Sequence, residues 1–81
     1  MDYNLTLRDV ESSRIGGQEL SAREIEVLQL AADAKTNAEI GRDLWISINT
    51  VKRHFDRMSW KTGIPNRAGQ VAYGFRRGLL K

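Results

Sequence analysis

Apolar residues recur every three or four positions along most of this chain, which is the repeat of an α-helix. One stripe, which falls within a single arc of a helical wheel, consists of Ile48, Val51, Phe55 and Met58. A second stripe, nearer the end of the chain, consists of Ala68, Val71, Ala72, Phe75 and Leu79. No stretch alternates apolar and polar residues over the length of a strand. The pattern therefore predicts an all-α fold.

Capping residues predict where four helices begin and end. Glu24 and Glu39 each stand three residues after a serine or threonine, which is the spacing of a reciprocal capping box. Gly63 and Pro65 are expected to stop the third helix. With their caps, the predicted helices run from about Ala22 to Ala32 after Ser21, from about Asn37 to Leu44 after Thr36, from Ile48 to about Thr62 after Ser47, and from Asn66 to near Gly78.

The same pattern predicts the domain organisation. Residues 1–18 show no sustained period and are interpreted as a leader, with a short ordered piece around Leu5 to Val10. Residues 19–81 are predicted to form the helical domain. Trp45 ends the second helix and is expected to be a core or turn anchor. The other predicted core residues are Leu20, Val27, Leu28, Ala31, Ile40 and Leu44.

Composition narrows the possible functions. The 81 residues suffice for one small domain, and the absence of cysteine excludes disulfides, zinc fingers and a thiol nucleophile. His54 is the only histidine, and Asp56 lies on a different helix face, so neither an enzyme nor a cofactor or metal is expected. No apolar run is long enough to span a membrane, and the protein is expected in the cytoplasm.

Charge is distributed unevenly along the chain. Residues 1–40 carry four basic and eight acidic side chains, a net charge of −4. Residues 41–81 carry nine basic and two acidic side chains, a net charge of +7. Because local potential governs attraction to phosphates, the second half is expected to bind a polyanion.

The third predicted helix concentrates these basic residues on its outer face. With Ile48 on the core side, the residues that point away from the core are Asn49, Arg53, Asp56, Arg57 and Trp60, with Lys52 at one margin and Thr50, His54 and Lys61 at the other. A basic helix face is often only a solvated surface. Here the short turn before the helix and the charge asymmetry favour a helix that enters the DNA major groove.

From Leu20 to Leu80 the chain resembles the LuxR-type (GerE-like) helix-turn-helix domain of bacterial transcription regulators. The matching segments are LSAREIEVLQL (20–30), TNAEIGRDLWIS (36–47), TVKRH (50–54), KTGI (61–64) and NRAGQVAYGFRRGLL (66–80). The resemblance implies a four-helix bundle whose third helix enters the major groove and whose fourth commonly supports dimerisation. It also implies double-stranded DNA as the partner and a location on the bacterial nucleoid.

The resemblance and the helical wheel together name candidate site residues. Lys52, Arg53 and Asp56 match positions from which family members reach base edges, and Asn49 shares their face. The residues expected at the sugar–phosphate backbone are Thr50, His54, Arg57, Lys61 and Arg67.

Two of these residues have alternative roles. Arg67 either contacts a phosphate or forms an intramolecular pair with a carboxylate such as Glu24. Asp56 either orients Lys52 and Arg53 through ion pairs or accepts a hydrogen bond from a cytosine amino group.

The fourth predicted helix contains Gly69, Gly74 and Gly78, and Gly78 is expected to be its C-cap. Because small residues allow two backbones to approach closely, a homodimer contact is predicted through Val71, Gly74, Phe75 and Gly78. The alternative is a loosely specified helix that lies on its own core.

Three positions depart from the pattern of the family that the chain resembles. Ala34 stands where glycine is usual, and a positive φ there would make alanine unfavourable by about 1 kcal/mol. Gly41 stands where alanine is usual and should weaken the second helix by about as much. Thr62 replaces a customary leucine and removes part of the apolar seal behind the third helix.

Two other functions remain open. One is a promoter-binding module like region 4 of a sigma factor. The final residues of the chain, however, match the fourth helix of the LuxR-type domain better. The other is a small protein that pairs with another LuxR-type regulator through helix four and inhibits it. Contact with RNA polymerase is a further option. The start at Met1 favours a stand-alone regulator over an excised output domain.

Overall fold

The computed structural model describes residues 18–81 of the chain. Four helices follow in order, α1 (Ala22–Ala32), α2 (Asn37–Leu44), α3 (Ile48–Thr62) and α4 (Arg67–Arg76). The described part contains no strand, and the predicted all-α, four-helix class is confirmed. None of these helices is long and apolar enough to cross a membrane. The expected ordered piece around Leu5 to Val10 lies outside the described residues, and the division at residues 18 and 19 stays a prediction.

All four predicted N-caps are present. The Ser21 and Thr36 side chains accept from the amides of Glu24 and Glu39 at 3.1 and 3.2 Å, and both glutamates accept from the cap amides at 2.8 Å. The two remaining cap contacts, at 3.0 and 2.7 Å, are made by Ser47 to the Thr50 amide and by Asn66 to the Gly69 amide. These local bonds satisfy amides that a helix leaves unpaired, which explains why the predicted helix starts are correct.

The helices pack around one apolar core. α1 packs against each of the other three helices, and α3 packs against both α2 and α4. The chain turns back after α4 at Gly78, which has a φ of 71°, and this brings Leu80 into the core. The buried apolar residues are Val27, Leu28, Ala31, Ile40, Val51, Met58 and Leu80.

The predicted apolar stripe on α4 is wrong at three of its five residues. Ala68, Ala72 and Phe75 are exposed, and the buried residues of α4 are Gln70 and Gly74. A β-carbon on residue 74 would lie 2.7 Å from Leu80 Cδ1 and 3.1 Å from Leu28 Cδ2, so any larger residue would have to displace the Leu80 side chain. The Gln70 amide nitrogen donates to Ser59 Oγ at 2.7 Å and to the Ile64 carbonyl at 3.0 Å. α4 therefore packs through a glycine and an amide, with Val71 as its apolar side chain against the core.

Trp45 was predicted to be a core or turn anchor, and the core part of this prediction is wrong, whereas the residue does end α2 at the turn. Its side chain is 93% exposed, and the residue is the C-cap of α2 with a left-handed backbone, φ 61° and ψ 41°. The next residue, Ile46, packs against the core instead. The left-handed cap turns the chain after α2 so that the tryptophan lies outside. Ile48 at the start of α3 is also more exposed, at 47%, than its place in the predicted stripe implies.

The three departures from the family pattern have physical explanations. Ala34 does have a positive φ, 66°, as the sequence suggested. Gly41 is buried, and a β-carbon there would lie 2.6 Å from the Ile46 carbonyl oxygen, so glycine allows the α2–α3 turn to pack closely. The Thr62 hydroxyl donates to the Met58 carbonyl at 2.9 Å and accepts from the Ile64 amide at 3.1 Å, which helps to end α3.

A buried ion pair joins α1 to the end of α3. The Glu24 side chain is 1% exposed, and its Oε1 accepts from Lys61 Nζ at 2.9 Å and from the Ser21 amide at 2.8 Å. Burial by itself raises the pKa of Glu24, but the bonds from Lys61 and Ser21 outweigh it and hold the pKa below the ordinary value of 4.5. The carboxylate is therefore charged at neutral pH.

Glu24→Gln should destabilise the fold by roughly 1–3 kcal/mol, because Lys61 loses its charged partner. The loss stays in this range because part of the lysine side chain still reaches water. A carboxyl group whose pKa is lower in the folded state stabilises the fold at pH values above its unfolded-state pKa. The difference between Glu24→Gln and the unmodified protein should therefore be complete above pH 4.5 and disappear as the pH falls through the folded-state pKa. Urea unfolding of both proteins between pH 7 and pH 3 measures this difference in the free energy of unfolding.

Glu26→Gln is the matched control for this prediction. Glu26 forms an exposed pair with Arg23 at 3.0 Å, and its loss should change stability by about 0.5 kcal/mol or less. Equal effects of the two substitutions, or a Glu24 difference that grows on acidification, would contradict the structural role of the buried pair.

Ala34→Gly should raise the free energy of unfolding by roughly 0.5–1 kcal/mol, because glycine adopts a positive φ without steric strain. For a domain of this size the melting temperature should rise by several degrees. Ala38→Gly, at an exposed position inside α2, is the control and should lower it. A lower melting temperature for Ala34→Gly would show that the left-handed backbone carries no strain.

Candidate nucleic-acid interface

The outer face of α3 follows a very short turn from α2. Three residues separate the two helices, and Ser47 caps α3 through its hydroxyl. Val51 and Met58 face the core and fix the rotation of α3 about its axis. The polar and aromatic residues that the turn and the core leave exposed on α3 are Asn49, Lys52, Arg53, Asp56, Arg57 and Trp60.

Cations on this face are free of ion pairs. The ion pairs among residues 18–81 are Arg23–Glu26, Lys35–Asp43 and Lys61–Glu24. Lys52, Arg53 and Arg57 belong to none of them, so α3 presents three unneutralised positive charges to solvent. A face of this kind attracts phosphates and can donate hydrogen bonds to base edges.

Thr50 and His54 lie half-buried at one margin of the face. The Thr50 hydroxyl lies 3.0 Å from the Ser47 hydroxyl. Burial lowers the pKa of His54, and the nearby Arg57 and Arg23 guanidinium groups lower it further against the opposing charge of Glu24. The imidazole is therefore neutral at neutral pH and offers one N–H donor rather than a charge.

Asp56 has no ionic partner in the described part of the chain. Neither Lys52 nor Arg53 pairs with it, so the predicted orientation of these cations by ion pairs is wrong. Its side chain lines a depression of about 320 Å³ between α3 and the start of α4, together with Lys52, Phe55 and Arg67. The carboxylate is left free to accept from an outside donor.

Lys61 and Arg67, both expected at the DNA backbone, have partners inside the protein. Lys61 is held by Glu24, as described above. Arg67 Nη1 donates to Asn37 Oδ1 at 2.7 Å, Nη2 donates to the Lys35 carbonyl oxygen, and the guanidinium lies 5.1 Å from the centroid of the Phe55 ring. The alternative pair of Arg67 with Glu24 is wrong, because Lys61 takes that place.

These partners of Arg67 were not predicted from the sequence. The contacts join residues 30 and 32 positions apart, and no local spacing signals them. The guanidinium links the first residue of α2, the first residue of α4 and the middle of α3. It therefore helps to fix the position of α3 at a place different from Lys61.

The residues expected at a dimer contact divide into two groups. Val71 is half-buried, while Phe75 and Gly78 are exposed, with Phe75 at 49%. Gly74 is buried against Leu80 and Leu28, so it cannot reach a second chain. The part of the prediction that assigned Gly74 to a dimer contact is wrong.

Comparisons with known proteins agree with this architecture. The family model described as "Bacterial regulatory proteins, luxR family" matches residues 18–73. The chain is 36% identical over 74 residues to the transcriptional regulatory protein LiaR of Bacillus subtilis (strain 168), a match that covers 91% of the chain and 35% of LiaR. It is 38% identical over 80 residues to the transcriptional regulatory protein DegU of Brevibacillus brevis, a match that covers 88% of the chain and 34% of DegU.

A solved structure shows the same fold. The response regulator ChrA of a heme-sensing two-component system superposes with a TM-score of 0.73 at 33% identity, over 85% of this chain and 34% of ChrA. The chain spans about a third of the length of the curated relatives described above. By the match of the family model and of the fold, this chain belongs to the luxR family of bacterial regulatory proteins.

Proposed function

We propose that this chain binds duplex DNA as the DNA-binding part of a bacterial transcription regulator, with α3 in the major groove. The observation that carries the proposal is the outer face of α3, where Lys52, Arg53 and Arg57 are exposed and unpaired. Such a helix, held rigidly on its inner side, has the shape and charge that the major groove accepts. Its relatives are named as transcriptional regulatory proteins, which agrees with this role. The function would be carried out on the nucleoid, in the cytoplasm.

Four residues are proposed to read base edges. Lys52 and Arg53 suit the two acceptors of guanine, Asn49 suits the donor and acceptor of adenine, and the Asp56 carboxylate suits the amino group of cytosine. All four side chains are exposed on α3. Because a carboxylate cannot accept a hydrogen bond from a phosphodiester, Asp56 contributes no attraction to non-specific binding.

The sugar–phosphate contacts are proposed to come from Thr50, His54 and Arg57. Arg57 would neutralise a phosphate, whereas Thr50 and the neutral His54 would donate uncharged hydrogen bonds. Lys61 and Arg67 are proposed to act on binding from inside the protein, since their charged groups already have partners there.

A homodimer on DNA is also proposed. LuxR-type regulators often dimerise, and α4 with the turn after it exposes Phe75 and Gly78 beside the half-buried Val71. Two-fold symmetry would pair this surface with itself on a palindromic site. RNA polymerase or another regulator of the family would be an additional partner of the bound dimer.

Arg57→Ala should weaken binding by the same factor on every duplex and reduce the slope of log affinity against log salt by about one, since one phosphate contact is lost. Arg53→Ala should instead weaken binding mainly at the preferred sequence, by roughly 1–3 kcal/mol. Fluorescence anisotropy on a duplex selected from a random pool and on a mixed-sequence duplex, at several salt concentrations, measures both effects.

Lys81→Ala is the charge-matched control, because it removes one exposed positive charge beyond α4 without touching α3. It should change affinity far less than either arginine substitution. The proposal fails if the unmodified chain binds no duplex at low salt, or if its affinity stays constant as salt increases.

Phe75→Ser should prevent two protomers from binding together to a palindromic duplex while leaving the melting temperature nearly unchanged, because the ring is 49% exposed in the monomer. Arg76→Ser, one residue further along α4, is the control. Sedimentation velocity with and without the duplex reports the stoichiometry. A single protomer on the palindrome for the unmodified chain would exclude this dimer.

A further inference from the structure

Trp45 combines an exposed aromatic ring with a left-handed backbone at the C-cap of α2. Its indole is 93% exposed, which leaves a large apolar surface in water. Its backbone is left-handed, with a φ of 61°, a conformation that residues with a β-carbon rarely adopt. The ring belongs to neither of the cation–π pairs of the described residues, and its N–H makes no hydrogen bond there. A core role therefore does not explain this tryptophan.

An exposed arginine and an exposed isoleucine lie three residues on either side of Trp45 in the chain. Arg42, three residues earlier, is exposed and forms no ion pair, and Ile48, three residues later, is 47% exposed. Arg42, Trp45 and Ile48 are called the turn patch below. Arg23 Nη2 lies 3.4 Å from the Leu44 carbonyl oxygen beside this patch and also pairs with Glu26. The adjacent acid, Asp43, is occupied by Lys35 at 3.1 Å, so the free charge of the patch is positive.

The turn patch is continuous with the outer face of α3. Ile48 is the first residue of α3, and the proposed base-reading residue Asn49 follows it directly. When a recognition helix lies in the major groove, the helix before it crosses the backbone, and the intervening turn therefore lies close to a sugar–phosphate strand. Such a strand offers both an apolar deoxyribose surface and anionic phosphates, which matches an exposed indole beside an unpaired arginine.

We propose that Trp45 packs on the deoxyribose of a DNA strand that borders the major groove, with Arg42 at an adjacent phosphate. The inference rests on the proposed function and adds to it a contact that carries no base information. The contact would bury the ring that the free protein leaves in water, whereas the left-handed backbone serves the turn between α2 and α3. The occupant of the turn patch is thus duplex DNA rather than a second protein.

Trp45→Gly separates this role from a structural one, because the two roles predict opposite changes. Glycine relieves the backbone strain, so the melting temperature should stay the same or rise by a few degrees. DNA affinity should nevertheless fall, by roughly three- to tenfold, because the buried indole surface is lost from the complex. Trp45→Asn, which also tolerates a left-handed backbone, should behave in the same way.

The loss should have the signature of an uncharged backbone contact. It should be equal on a selected duplex and on a mixed-sequence duplex of about 30 base pairs, long enough for two half-sites. The salt dependence should keep its slope, because no phosphate loses its counter-charge. Arg42→Ala, by contrast, should lower the slope by about one.

Ala34→Gly is the matched control. It relieves the same kind of strain, at a φ of 66°, in the turn between α1 and α2, and removes no aromatic ring. It should raise the melting temperature and leave DNA affinity unchanged. A second readout comes from Trp60→Phe, which leaves Trp45 as the single tryptophan of the chain. Its fluorescence should change on addition of the mixed-sequence duplex, and acrylamide should quench it less in the complex.

Different results would overturn different statements. If the unmodified chain binds duplex and Trp45→Gly binds equally well, the contact is absent and the proposed function stands. If Trp45→Gly lowers the melting temperature, or loses affinity only at the selected sequence, Trp45 acts through the fold or reads a base instead. If the unmodified chain binds neither duplex, the proposed function itself fails.

Discussion

The carboxylate of Glu24 joins two parts of the fold that are far apart in the chain. It accepts from the Ser21 amide at the start of α1 and from Lys61, 37 residues later, near the end of α3. A charge that is 99% enclosed is stable only while such donors are in place. This constraint holds the end of α3 against α1. It thereby decides which side of α3 remains available to a partner.

A second cation, Arg67, holds α3 at another point along its length. Arg67 stacks on Phe55 and donates to Asn37 and to the Lys35 carbonyl, so it ties α3 to the first residues of α2 and α4. The basic side chains of residues 41–81 thus have two different roles. Lys61 and Arg67 fix the scaffold, while the cations on the outer face stay unpaired. A rigid inner side allows the outer side to be presented in one arrangement, which lowers the entropy lost on binding.

Most of the fold was predictable from sequence because its determinants are local. Helix starts depend on residues three positions apart, as with Ser21 and Glu24, and the outward positions of α3 depend on periodicity alone. The buried face of α4 was not predictable, since Gly74 is enclosed only when Leu80 returns over it. Nor does hydrophobicity reveal that Trp45 has a left-handed backbone, because that conformation depends on how α2 and α3 pack. In the candidate site, exposure followed from the sequence, whereas the partners of the cations, which are far apart in the chain, did not.

Asp56 is the only acid of α3, and its lack of an ionic partner bears on how a site would be selected. Beside phosphates, an unpaired carboxylate raises the free energy of every complex through like-charge repulsion. A base amino group in the major groove, on cytosine or adenine, would offset that repulsion with a hydrogen bond. Because specificity is a difference between affinities, an acid that weakens all complexes but is compensated at one base pair increases discrimination. Under the proposed function, Asp56 therefore acts by lowering affinity for other sequences, and the neighbouring cations supply the attraction that makes this reduction tolerable.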